Sequence, residues 1–150
     1  MNGGSGNTTA LVGLSQVHML EVDGVLFKEM FEHGLREFPN EACGLLAGRD
    51  GAPVRFFAMR NLDASPVSYR LDPMEQLRVF DEMDEAGWDL LGIFHTHTHS
   101  GAYPSDTDKK LAFYPDARYL VMSLSDREHP ELRAFRIVDG EVSDEELTIT

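Results

Sequence analysis

Two amphipathic helical stretches interleaved with short apolar runs, and two hairpin-type turn signals, predict an α/β domain: a mixed, strongly curved sheet flanked by helices. Residues 18–22 read as a short strand. Val25, Leu26, Met30, Phe31 and Leu35 then recur at helical spacing, and Phe38-Pro39 ends that helix, because the residue before a proline is pushed out of helical backbone. Residues 42–47 and 54–59 read as strands joined across Gly48-Arg49-Asp50-Gly51, a hairpin-type connection. A loop follows at residues 61–66. Residues 73–86 suit an amphipathic helix with Pro73 in its first turn, where no N–H is needed, and with Met74, Leu77, Phe80 and Met83 as its apolar side. Residues 88–94 form a buried strand, a short helix starts at Ser105, and residues 119–123 form a further strand. Residues 132–138 and 141–142 pair antiparallel about Asp139-Gly140. No internal repeat is visible.

At 150 residues and 42% hydrophobic, the chain has enough apolar material for one core. A single domain is expected over residues 13–150. It follows a disordered tail at residues 1–12, most of which is Gly, Asn, Ser and Thr. The first basic residue is Lys28, so the positive region of a secretory signal is missing, and no apolar run reaches the length of a membrane span. The single cysteine excludes an intrachain disulfide and fits a reducing cytoplasm; Cys43 itself, in an apolar run, reads as a small buried strand residue. The net charge of −13 argues against nucleic acid, which needs clustered Lys and Arg. It suits a basic or zwitterionic partner, or equally a high-salt cytoplasm in which surface carboxylates keep a protein dissolved.

The stretch from His95 to Asp108, His-Thr-His-Thr-His-Ser-Gly-Ala-Tyr-Pro-Ser-Asp-Thr-Asp, sets imidazoles where the apolar strand runs into a helix start. With a period of two, His95, His97 and His99 project from one strand face, so neighbouring pairs can reach one ion. Zinc is the expected ion, one per chain. A catalytic zinc takes three protein ligands, and Asp108 is the obvious third after His95 and His97. His99 competes for that place, but three strand residues spanning five positions fan out widely for tetrahedral geometry. Ser105 to Asp108 also has the form of a helix N-cap with an acidic side chain three residues on, and capping and ligation are compatible.

These residues resemble the JAMM (MPN-plus) metallopeptidase motif: a glutamate, then His-x-His, seven residues, and Ser-x-x-Asp, met here by Glu41, His95, His97, Ser105 and Asp108. Residues 40–48, 68–77, 102–105 and 135–140 are similar to segments of that family's small bacterial branch, which includes the CysO-cysteine peptidases. The likeness spans roughly residues 15–145. Thr98 stands where most of the family has proline, a substitution shared with that branch. The resemblance implies the MPN fold, which is cytidine-deaminase-like, with the metal at one end of the sheet. It also implies that Glu41, which follows the helix-ending Pro39 and enters an apolar strand, is catalytic.

With zinc on His95, His97 and Asp108, bound water would ionise near neutral pH. Glu41 would take its proton and return it to the leaving amine, and Ser105 Oγ would donate to the developing oxyanion. The chain has no His-Glu-x-x-His helix, so a zincin-type protease is a poor description. The resemblance implies hydrolysis of the amide after the C-terminal Gly-Gly of a ubiquitin-like or sulfur-carrier protein, including release of cysteine from a carrier–cysteine adduct. Two alternatives belong to other classes. A catalytically silent MPN scaffold would be expected to lack one or more of Glu41, His95, His97 and Asp108, and all are present. Another zinc amidohydrolase or a β-lactamase-like enzyme needs further downstream histidines, and only His129 is available.

Overall fold

The computed structural model describes residues 19–150. The tail expected at residues 1–12 lies outside the described residues. Chain order is β1 (Met19–Val22), α1 (Gly24–Glu37), β2 (Cys43–Arg49), β3 (Ala52–Met59), α2 (Pro73–Ala86), β4 (Asp89–His97), α3 (Asp106–Lys110), β5 (Arg118–Ser123), β6 (Glu131–Val138) and β7 (Glu141–Ile149). The seven strands form one sheet in the order β1-β7-β6-β5-β4-β2-β3. β1/β7 and β4/β5 are parallel, and the other neighbours are antiparallel. Although β1 and β3 stand at opposite ends of that order, they touch, so the sheet curls as the sequence predicts.

Alternation along the central strands divides the core between two faces. Leu46, Phe56, Phe94 and Leu120 pack with Leu26 and Met30 of α1 on one side. Leu45, Phe57, Ile93 and Tyr119 pack with Val79 and Met83 of α2 on the other. The histidines of β4 share the odd-numbered face with Ile93, which is the α2 side. Even-numbered Thr96 faces α1, where a side chain on Gly34 would stand 3.1 Å from its methyl group.

Both hairpins close on two residues in left-handed backbone, Asp50-Gly51 (φ 52° and 81°) and Asp139-Gly140 (φ 52° and 79°), the turn type that follows the strands' own twist. Three expectations need correction. In α2, Met74 and Leu77 are outward-facing, 63% and 54% exposed, and the buried stripe runs through Val79 and Met83. In α1, Val25 and Leu35 face outwards, whereas His33 and Gly34 are buried with Leu26 and Met30. The last strand continues past Val142 to Ile149, because β1 pairs with its second half in parallel.

Candidate metal centre

β4 carries His95 and His97 to the end of the sheet, and the loop after it returns α3 to the same place. Ser105 caps α3: its Oγ accepts from the Asp108 N–H (3.0 Å), while Asp108 Oδ2 accepts from the Ser105 N–H (2.9 Å). That reciprocal pair fixes the Asp108 carboxylate, and Oδ2 lies 3.0 Å from His95 Nε2 and 3.0 Å from His97 Nε2. The two imidazole nitrogens are 3.2 Å apart. His95, His97 and Asp108 thus form a group whose donor atoms can hold one metal ion.

The donor set fits zinc on three grounds. Ligand atoms about 2.0–2.1 Å from a tetrahedral zinc stand roughly 3.3 Å from one another, near the spacing observed. Two imidazole nitrogens and a carboxylate oxygen are the ligand types that a catalytic zinc takes. His97 Nδ1 donates to the Gly101 carbonyl at 2.9 Å, which leaves Nε2 to face the group, as a second-shell carbonyl does for a metal-bound histidine. His99 lies beyond the strand, exposed, with Nδ1 2.8 Å from Thr98 Oγ1 and its ring near Phe38. Asp108, not His99, completes the group.

Electrostatics agree with this arrangement. Burial alone would raise the Asp108 pKa, but hydrogen bonds from the two histidines outweigh it and hold the carboxyl far below its ordinary range. Burial lowers His95, which is 1% exposed. For His97 the pull of burial is overcome by Asp108 and the Gly101 carbonyl, and its pKa rises.

Glu41 lies just ahead of β2 and is 4% exposed. Burial pushes its pKa up to about 8, with His97 drawing it down and Asp108 pushing it up, so both lie within electrostatic reach. Its Oε1 is buried without a hydrogen-bond partner, as is His95 Nδ1. Ala42, next in sequence, donates its N–H to Thr96 Oγ1 (2.8 Å) and accepts from the Thr96 N–H (3.0 Å). The residue between the two histidines therefore grips the chain beside Glu41.

The sequence reading missed three contributors. Thr96 acts through that grip, Tyr69 stacks on the His95 ring with centroids 4.5 Å apart at 21°, and buried Asn61 bonds to the Glu41 carbonyl. Cys43 is fully buried, as expected, and burial pushes its thiol up to about 12, so it is inert. Beside Asp108 and Tyr69 opens a mainly apolar pocket of about 270 Å³, lined also by Leu71, Ile93, Leu111 and Phe113.

The family described as prokaryotic homologs of the JAB domain matches residues 24–138. The chain belongs to this family. It is 44% identical over 135 residues to the CysO-cysteine peptidase of Mycobacterium tuberculosis, covering 89% of this chain and 92% of that one. The desampylase of Haloferax volcanii is 39% identical over 88 residues, 57% of this chain and 63% of that protein. A protein from Desulfitobacterium hafniense, solved in solution, superposes with a TM-score of 0.81 at 40% identity, over 88% of this chain and 93% of that one. The curled mixed sheet with three helices is the JAB/MPN fold.

Proposed function

We propose that the chain is a zinc-dependent hydrolase of the amide bond after the Gly-Gly terminus of a ubiquitin-like or sulfur-carrier protein, with one ion held by His95, His97 and Asp108. The observation that carries this reading is the convergence of three donor atoms beside a buried carboxylate oxygen without a partner. Zinc, when held by His95, His97 and Asp108, would supply a Lewis acid that lowers the pKa of water towards about 7. Glu41 Oε1 would accept a proton from the attacking water and return it to the departing amine nitrogen, without which an amide does not cleave. Burial, which raises the Glu41 pKa, favours the protonated form needed for the return step, and His97 pulls in the opposite direction, towards the accepting form. Ser105 Oγ serves as acceptor in the helix cap, so its own proton stays available to a substrate carbonyl oxygen.

The names of the relatives support the substrate class, since one is a CysO-cysteine peptidase, another a desampylase and a third, from Thermus thermophilus, a probable TtuB-protein conjugate cleaving protease. Release of cysteine from a carrier is the narrower version. We further propose a cytoplasmic location, which a single cysteine and hence no intrachain disulfide suits; among the described residues no helix is long and apolar enough to cross a membrane.

Metal analysis and one cleavage assay test the proposal. Purified protein should hold about one zinc per chain, and His97→Ala or Asp108→Ala should lose it, because three ligands become two. A carrier ending in Gly-Gly-Cys should be cut between glycine and cysteine, as read by mass spectrometry, with chelation abolishing the product. Replacing the last glycine with valine should slow cleavage far more than a change several residues upstream. Tolerance of that valine would reduce the reading to a zinc amidase. Full zinc binding by Asp108→Ala would overturn the ligand set.

A further inference from the structure

Glu41 stands outside the sheet. β2 begins at Cys43, so no strand ladder fixes the residue that the proposed mechanism needs most. Its backbone is held instead by the loop between β3 and α2: the Glu41 N–H donates to the Ser65 carbonyl at 2.8 Å, and its carbonyl accepts from Asn61 Nδ2 at 3.0 Å. Asn61 is 6% exposed and its amide is fully engaged. Nδ2 also donates to the Ser68 carbonyl (3.0 Å), while Oδ1 accepts from the N–H groups of Asp63 and Arg70 (both 3.0 Å). Two carbonyls on one side and two N–H groups on the other admit a single orientation of the amide. Tyr69, between the last two of these partners in sequence, lays its ring on His95.

We propose that Asn61 is a positioning residue, binding the backbone of Glu41 and the segment that carries Tyr69 into one frame around the metal centre. The proposal rests on the reading of Glu41 as the proton carrier. Neither aspartate nor alanine replaces the amide. Aspartate keeps the acceptor side but sets an oxygen against two carbonyls, and alanine leaves two donors and two acceptors without their partner. The three ligands come from β4 and α3, whereas all four hydrogen bonds of the Asn61 amide go elsewhere, so ion binding should survive its loss.

Asn61→Ala should lower kcat by about 10- to 100-fold, the scale of a displacement near 1 Å, with KM within about 3-fold and one zinc per chain retained. Single-turnover rates in a double-mutant cycle with Glu41→Gln separate positioning from general support. The loss from Asn61→Ala should nearly vanish in the Glu41→Gln background. In the zinc-loaded protein, NMR should show the His95 ring protons moving towards their position in Tyr69→Leu, with those of His97 little changed. If Asn61→Ala does not fold, Asn61→Asp carries the same measurements. Equal losses in both backgrounds, or an unmoved His95 resonance, would overturn the proposal. Parental turnover by Glu41→Gln alone would instead remove the catalytic reading on which it stands.

Discussion

Glu41 is a carboxyl group that folding by itself disfavours. Unfolded, such a group ionises near 4.5, whereas here burial holds the pKa near 8. Between those values the unfolded chain gives up its proton first, so this residue makes stability fall as pH rises from about 4.5 to 8 and adds no further loss above that. The difference amounts to a few kcal/mol, at about 1.4 kcal/mol per unit. In chelator-treated protein, Glu41→Gln should therefore melt higher than the parent, by a margin that widens between pH 5.5 and pH 8. A margin independent of pH would mean that Glu41 is already ionised in the folded state. The site residues differed in how legible they were. His95, His97 and Asp108 fall within fourteen positions in a pattern whose chemistry is local. Glu41, one of twenty-six acidic residues, stood out only through its resemblance to a family. Asn61, Tyr69 and Thr96 act through partners 20 to 54 residues away, and no local spacing encodes such contacts.

At the level of elements, β4 serves two frames at once. His95 and His97 face the metal centre, and Thr96 between them holds the backbone beside Glu41, so a shift of register by one residue would lose both functions. The close packing behind this arrangement makes Gly44 sensitive. A Cβ there would stand 2.5 Å from the Phe57 carbonyl oxygen and 2.7 Å from the Phe56 ring, which forces backbone to move. Gly44→Ala should destabilise by about 2–3 kcal/mol, lowering Tm by roughly 5–10 °C in a domain of this size. An unchanged Tm would show that β2 and β3 can part there without penalty. Helical periodicity located α2 correctly, and Phe80 and Met83 do face the core, but it drew the apolar side too wide, because Met74 and Leu77 are as apolar as the residues that are buried, and only tertiary packing selects between them. The second half of β7 was hidden by Asp144, Glu145 and Glu146. Arg133 pairs with Asp144, and Arg118 and Arg136 with the buried Glu145, so an acidic run sits comfortably in a strand.

Over the whole molecule, a net charge of −13 on 150 residues favours expansion. Screening by salt should therefore raise Tm between about 20 mM and 300 mM NaCl, as differential scanning calorimetry can measure. A fall over that range would mean that ion pairs such as Arg118–Glu145 outweigh the general repulsion. The fold class itself was readable, since alternating helical and strand periods with two turn signals leave few architectures. The sheet's strand order was not, because pairing between β1 and β7 joins opposite ends of the described chain. That pairing, together with the curl that brings β1 against β3, governs how the protein meets copies of itself. An open sheet ends in two rows of unpaired amides and carbonyls, ready templates for aggregation. Here one terminal strand spans four of the described residues, the other carries Pro53 and Arg55, and the two approach each other. Concentrated solutions of the folded protein should accordingly resist strand-to-strand polymerisation, and growth into fibrils would first require the curl to open.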